Sequence, residues 1–194
     1  PPIAFPLTLP MCSPISDGAA AVVLCNADGL QRLNGSRDRA VKLLASVVQT
    51  SSARRIDEPH KNITHLAARK AYELAGIEAA DVNVAEVHDA TAMGEILNAE
   101  ALMLVPFGEG GAAAERGDFT IGGRIPINPS GGLESKGHPI GATGLAQIHE
   151  LVTQLRGEAG RRQVAGARIA IHENGGGLYG IEEAVVAVNI FARR

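Results

Sequence analysis

Three histidines stand in short segments that could bring them to one site. His88 lies in "EVHDA", His138 in "KGHPIGATG" and His172 in "HENGGG". Each segment falls at the end of a predicted strand or the start of a predicted helix, where sites in α/β sheets usually form. An imidazole titrates close to neutrality, so it can accept or donate a proton at physiological pH. We therefore expect acid–base chemistry in a crevice that these three loops share.

The segment around His138 is suited to binding negative charge. Its glycines let backbone amides approach a ligand closely, and Pro139 fixes the turn. A helix entered near His138 directs free N–H groups and a positive dipole end towards the same point. Such a pocket favours negative charge that develops during a reaction.

Composition and apolar patterning predict an α/β fold with one core. Hydrophobic residues make up 45% of the 194 residues and aromatic residues 3%, so small aliphatic side chains must fill the space between layers. The pattern predicts the order βαβαβα, a long loop over 107–129, then α and an antiparallel ββ pair. The predicted strands cover 18–26, 40–51, 83–89, 167–176 and 182–192. The predicted helices cover 27–35, ending at Gly35, then 64–76, 91–102 and a stretch from His138 that ends at Gly157 and Gly160.

Charge and cysteine content argue against several classes of function. A net charge of -3 and a pI near 6.1 give no basic surface for nucleic acid or an anionic membrane. No apolar run approaches the 18 residues of a membrane span. No CxxC, HxH or HExxH spacing suggests a metal site, and Cys12 and Cys25 cannot make a disulfide framework. We expect free thiols, no metal and a cytoplasmic location.

The first residues are rich in proline. The stretch "PPIAFPLTLPMCSP" has five prolines in fourteen residues, as a linker or an excised fragment would. We expect residues 1–15 to be a linker-like lead and part of the native polypeptide to be absent.

Four segments together resemble the C-terminal half of thiolases, closest to the sterol-carrier-protein-type thiolases. They are "CSPISDGAAAVVL", "EVHDA", "GGLESKGHPIGATG" and the final glycine triplet, in this order and spacing. The resemblance covers nearly the whole chain and implies that residues 1–194 form a thiolase C-terminal domain. It implies a thiolase-like fold half, with a mixed β-sheet covered by helices in layers and a catalytic cleft against the N-terminal half.

The resemblance also implies an activity and partners. A thiolase-type acyltransferase makes or thiolytically cleaves 3-ketoacyl-CoA, with coenzyme A thioesters as substrates and no covalently bound cofactor. The nucleophilic cysteine of the family lies on the N-terminal half, so this chain would hold half a site. Homodimers are expected by the same resemblance.

Individual residues match positions with roles in the family. By the resemblance, His138 activates the nucleophile, and His88 polarises the second thioester carbonyl. Gly175 would offer a backbone N–H to an oxyanion, and Ser13 would contact the pantetheine arm.

The chain departs from the family where a second cysteine removes the α-proton. Classical thiolases place that cysteine just before the glycine triplet, but here the stretch reads His172, Glu173, Asn174. The sterol-carrier type has a cysteine after its His-Asp pair, and here that position is Ala90. Either Glu173 or His172 transfers the proton, or the reaction differs. Tyr179 is a further acid–base or substrate-binding candidate.

Two alternatives stay open. The chain could belong to a thiolase-like retro-aldolase that cleaves a β-hydroxyacyl-CoA, which by resemblance works beside a small acyl-CoA-binding barrel protein. It could also be a non-catalytic scaffold subunit. At the residue level, His138 could simply start a helix, His88 could end a strand and Glu173 could pair structurally.

Overall fold

The computed structural model describes residues 1–33 and 37–194. The strands are β1 (Pro2–Ala4), β2 (Leu7–Thr8), β3 (Val41–Thr50), β4 (Val84–Glu86), β5 (Ile169–Gly176) and β6 (Val185–Arg193). The helices are α1 (Ala27–Arg32), α2 (Ile63–Ala75), α3 (Ala92–Ala101), α4 (Gly110–Glu115), α5 (Gly132–Lys136) and α6 (Thr143–Arg156). Single 3₁₀ turns lie at Leu9–Met11, Arg37–Arg39, Pro59–Lys61, Ala79–Asp81 and Gly160–Arg162.

A mixed sheet in the order β3-β6-β5-β4 organises the chain. β6 runs antiparallel to β3 and β5, which confirms the predicted pairing of the last two strands, and β4 runs parallel to β5. The carboxyl ends of β4 and β5 therefore lie at one edge, with Glu86 opposite His172. Ala85 also pairs in parallel with Ile127. This pairing brings the segment that leads to His138 to the same edge.

Helices cover both faces of the sheet. Ala85 and Ile171 belong to the larger apolar cluster, which includes the buried face of α2. Their chain neighbours Val84 and Ala170 belong to a second cluster with Leu151 and Leu155 of α6. Because side chains alternate along a strand, the two clusters lie on opposite faces of the sheet. The predicted mixed sheet covered by helices in layers is confirmed.

Local capping explains both ends of α2 and the end of α6, which begins at Thr143 and not at His138 as predicted. The Asn62 side chain accepts hydrogen bonds from two backbone amides at the start of α2, and Gly76 ends this helix with φ 66°. Gly157 ends α6 in the same left-handed conformation, as predicted, whereas Gly160 starts the following 3₁₀ turn. The predicted end of the first helix at Gly35 lies outside the described residues.

The segment predicted as the first strand does not form one. Residues 18–26 are all described and belong to no strand, and the side chains of Val23 and Leu24 are 83% and 78% exposed. An apolar pattern reports what the side chains favour, but a strand also needs a neighbour for its backbone hydrogen bonds. Within residues 1–33 and 37–194, no strand runs beside this segment.

Candidate active site

His88 and His138 meet at the edge of the sheet. Their Nε2 atoms lie 3.4 Å apart, with ring centroids at 5.0 Å and ring planes inclined by 55°. His88 follows β4, and His138 follows the short helix α5. The two imidazoles therefore share one crevice, as the sequence led us to expect.

Backbone and side-chain contacts orient His138. Its N–H donates to the Pro14 carbonyl at 2.9 Å, and its Nδ1 lies 2.7 Å from the Thr143 hydroxyl. That hydroxyl donates to the Pro139 carbonyl at 3.1 Å, so it accepts from Nδ1–H of the imidazole. The network thus assigns the proton of His138 to Nδ1 and leaves Nε2 with a free lone pair.

The two rings are complementary in this assignment. A lone pair on Nε2 of His138 requires a proton on Nε2 of His88 if the two atoms are to hydrogen bond. Burial, together with the neighbouring His138, lowers the pKa of His88 to about 4. Burial also lowers the pKa of His138. At neutral pH the pair therefore offers one basic nitrogen and one N–H donor, both uncharged.

The backbone of His88 is fixed by side chains on both sides. Its N–H donates to Oε2 of Glu173 at 2.9 Å, and its carbonyl accepts from the Asn98 amide at 3.3 Å. Both polar groups of this peptide segment are thereby satisfied inside the protein. The peptide segment that carries the imidazole is therefore held in a fixed position.

Glu173 is a fully buried carboxyl that contacts the backbone of His88. Its Oε2 accepts the His88 N–H, and its Oε1 has no hydrogen-bond partner among the described residues. The pKa of Glu173 is raised to about 8, mainly by burial; the hydrogen bond from the His88 N–H acts in the opposite direction, and nearby Glu183 and Asp89 add to the rise. Glu173 therefore holds a proton at neutral pH.

His172 faces the opposite side of β5 from Glu173, because neighbouring side chains on a strand alternate. Its Nε2 donates to the Gln147 side-chain oxygen at 3.2 Å, and its Nδ1 accepts from the Asn189 amide at 2.9 Å. Burial lowers the pKa of His172 to about 4, so the ring is neutral. Both ring nitrogens are occupied by structural contacts beneath α6. The structure does not place His172 with the imidazole pair.

Gly175 and Tyr179 follow Glu173 at the end of the sheet. Gly175 lies in β5 opposite Val186, and a Cβ atom there would come within 2.6 Å of Cγ of Glu183. Tyr179 lies in the turn between β5 and β6, where its N–H donates to the Glu182 carbonyl at 2.9 Å, and its side chain is 60% exposed. The bare Cα of Gly175 thus admits the Glu183 side chain.

Ser13 lies in a segment that joins the two histidine loops. Its N–H donates to the Ala90 carbonyl at 3.0 Å, one residue after the His-Asp pair. Two residues later, Ile15 pairs in parallel with His138. The end of the proline-rich lead is therefore hydrogen-bonded to both loops of the site.

Sequence reasoning missed a set of side chains that fixes the loop before His138. Asp89 accepts from the Leu133 N–H at 2.8 Å, and Glu86 accepts from the backbone and hydroxyl of Ser130 at 3.1 and 2.8 Å. Asn128 in turn accepts from the Val87 N–H at 2.8 Å. The only sequence signal was indirect: acidic residues surround His88 in "EVHDA". Glu183, which covers Gly175, was missed as well.

Within residues 1–33 and 37–194, no helix is both long and apolar enough to cross a bilayer. The same residues contain no group of three or more His, Cys, Asp or Glu side chains arranged to hold a metal ion.

Comparison with known proteins finds a matching family and several similar proteins. Residues 45–189 match the family described as thiolase C-terminal domain-like. Sterol carrier protein 2 of Rattus norvegicus is 47% identical over 174 residues, which cover 87% of this chain and 32% of that protein. The acetyl-CoA acetyltransferase of Methanothermobacter thermautotrophicus is 46% identical over 196 residues, which cover 98% of this chain and 49% of the relative.

A solved structure titled "Ltp2-ChsH2(DUF35) aldolase" superposes with a TM-score of 0.66 at 19% identity. The match covers 79% of this chain and 40% of that one. At this identity the likeness concerns the fold alone. The chain spans 32% of the length of sterol carrier protein 2 and 49% of that of the acetyl-CoA acetyltransferase, so it matches half or less of each curated relative.

Proposed function

The chain belongs to the thiolase C-terminal domain-like family, and from this premise we propose that it supplies half of the active site of a thiolase-type acyltransferase. The substrates would be acyl-CoA thioesters, joined by Claisen condensation or cleaved as 3-ketoacyl-CoA. The observation that carries the proposal is the pair of neutral imidazoles, His88 and His138, with Nε2 atoms 3.4 Å apart.

Each imidazole has a distinct task in this proposal. The Nε2 lone pair of His138 accepts the proton of a nucleophilic thiol, which the family resemblance places on the N-terminal half. The thiolate then attacks the thioester carbonyl. His88 donates its Nε2–H to the carbonyl oxygen of the second thioester and lowers the energy of the enolate that forms there. An N–H of Gly175 directed at an oxyanion would contribute ~3 kcal/mol, by analogy with other oxyanion donors.

Glu173 takes the position of the missing second thiol. It contacts the backbone of His88 and has one free carboxyl oxygen, whereas both nitrogens of His172 are engaged elsewhere. A carboxyl with a pKa of about 8 can both give and take a proton near neutral pH. We therefore assign proton transfer at the α-carbon to Glu173. Ser13 and Tyr179 are proposed to contact the substrate at the rim.

A retro-aldolase is the second candidate. It is favoured by the absence of a thiol at both family positions, since the stretch before the glycine triplet reads His172, Glu173, Asn174 and the residue after the His-Asp pair is Ala90. In that reaction a base takes the β-hydroxyl proton, the Cα–Cβ bond breaks, and the acyl-CoA enolate is protonated. The small barrel partner predicted from the resemblance belongs to this candidate. The homodimer and the cytoplasmic location stay predictions under either one.

The test uses the full-length protein with acetyl-CoA, a 3-ketoacyl-CoA and a β-hydroxyacyl-CoA, each with and without free CoA. Cleavage that requires CoA supports thiolysis, and ketone or aldehyde release without CoA supports the aldolase. His138→Asn is expected to lower kcat about 10²–10⁴-fold, as for the loss of a general base. The matched control is His149→Asn, on the exposed face of α6. Binding of acyl-CoA without turnover of any substrate would instead support the scaffold alternative.

A further inference from the structure

Glu183 lies close to Glu173, the proposed proton-transfer group. Its side chain folds over the bare Cα of Gly175, where a Cβ would meet its Cγ at 2.6 Å, Cδ at 2.9 Å and Oε1 at 3.0 Å. Only a glycine at position 175 leaves room for this carboxyl. The fold therefore brings a second carboxyl to the end of β5.

Strand geometry places that carboxyl next to Glu173. Glu173 and Gly175 are two residues apart on β5, so their Cα atoms are about 6.6 Å apart along the strand. A side chain at either position points to the same face of the sheet. Glu183 occupies the space above Gly175 on that face. The two carboxyls are therefore neighbours on one face of the sheet, with Glu183 above Gly175.

The two carboxyls differ in their access to water. Glu173 is fully buried, and its Oε1 has no partner among the described residues. Glu183 is partly exposed. A buried acid that has given up its proton needs a neighbouring group from which to recover it, because bulk water does not reach it. Glu183 can exchange protons with solvent and reach the same face.

We propose that Glu183 is a proton relay that connects the buried carboxyl of Glu173 with solvent during each turnover, an inference that rests on the proposed function above. In the cleavage direction the Cα–Cβ bond breaks and its electron pair stays on Cα as a thioester enolate. The enolate takes the proton of Glu173, whose O–H bond breaks. Glu183 then accepts a proton from solvent and passes it to the Glu173 carboxylate, so Glu173 regains its O–H bond and Glu183 returns to its starting state. Thiolysis and retro-aldol cleavage both include protonation of the enolate at Cα. The relay is therefore compatible with either proposed reaction.

The test compares Glu183→Gln with the wild-type full-length protein on the substrate that the wild type cleaves. Glutamine keeps the shape of the side chain above Gly175 but cannot pass on a proton. We expect kcat to fall about tenfold or more, with KM within about twofold, because proton transfer and not binding is affected. Added imidazole buffer should restore the rate of the variant in proportion to its concentration and leave the wild type unchanged. Glu73→Gln, on the exposed face of α2, is the matched control.

A purely structural role for Glu183 predicts a different result. In that case Glu183→Gln would keep the wild-type kcat and show no response to buffer, which would overturn the relay while leaving the proposed function intact. Thermal melting of both proteins checks that the fold is retained. A wild-type protein that turns over none of the three substrates would overturn the proposed function, and the relay with it. A larger solvent deuterium effect on kcat in the variant than in the wild type would support the relay.

Discussion

At the scale of single residues, Thr143 decides which nitrogen of His138 can act as a base. The hydroxyl donates to the Pro139 carbonyl, so only its lone pairs are left for the imidazole. The Nδ1–H form of His138 follows from that contact, and with it the basic Nε2 that faces His88. One hydroxyl thus links the start of α6 to the proposed chemistry.

Replacing Thr143 with valine should lower activity without unfolding the protein. Valine has a similar shape but accepts no hydrogen bond, so His138 loses its preference for the Nδ1–H form and for its present orientation. We expect kcat/KM to fall about tenfold to a hundredfold, the range for a lost hydrogen bond to a group that becomes charged. Thr143→Ser keeps the hydroxyl and should stay within a few-fold of the wild type. Steady-state kinetics of both variants gives the comparison, and equal losses would contradict the role of the hydroxyl.

The residue scale also shows what sequence could and could not predict. The position of both histidine segments at the ends of predicted elements, together with the resemblance to thiolases, was enough to expect the two rings in one crevice. The choice between His172 and Glu173 was left open because it depends on which face of β5 points to the site. That face is fixed by pairing with β4 and β6, and only the folded sheet contains this information.

At the scale of elements, α5 is the spacer that sets the position of His138. This helix has five residues, too few to be stable by itself, and its first turn is fixed by the Asp89 carboxylate. Gly132 begins the helix with φ 61°, and a Cβ there would overlap the carboxyl group of Asp89. The element exists because a side chain from the end of β4 caps it.

Gly132→Ala should therefore damage both stability and activity. The added methyl group meets the Asp89 carboxyl, and the positive φ is unfavourable for alanine, so we expect a loss of about 2–4 kcal/mol in the free energy of unfolding. Gly111→Ala is the control, because a Cβ there has open space and lies inside α4. It should be neutral or stabilise by about 0.5–1 kcal/mol. Chemical unfolding of the two variants measures the difference, and equal stabilities would contradict the account of α5.

Elements differed in how well the sequence predicted them. The helix α2 was predicted within one residue at each end, because its start and its stop at Gly76 are local signals. The apolar segment 18–26 was predicted as a strand and is not one, because pairing is not a local property. The hydrogen bonds of Glu86, Asp89 and Asn128 to backbone groups of other segments were missed for the same reason: their partners lie about forty residues away in the chain.

At the scale of the whole molecule, the fold buries several carboxyl groups around the site, fully or in part. Burial raises the pKa of Glu86 to about 7, although Lys136 at 3.8 Å and the Ser130 hydrogen bonds act in the opposite direction. Burial likewise raises the pKa of Glu95 to about 7 and that of Glu173 to about 8. Each of these groups holds its proton more tightly in the folded protein than in the unfolded chain.

These shifts predict that the protein loses stability as the pH rises from 7 to 9. In the unfolded chain the carboxyls titrate near 4.5 and are ionised throughout this range, whereas at pH 7 the folded protein still binds the Glu173 proton and about half of the protons of Glu86 and Glu95. Stability then falls with pH, by up to ~1.4 kcal/mol per pH unit for each carboxyl that retains its proton, and levels off above the folded pKa values. The histidines with lowered pKa values do not oppose this trend, because above pH 7.5 they are neutral in both states.

Glu173→Gln should flatten the decline, since the variant has no carboxyl proton to lose at position 173. Melting temperatures of wild type and variant at pH 7, 8 and 9 measure the slopes, and parallel declines in the two proteins would show that Glu173 is already ionised at pH 7.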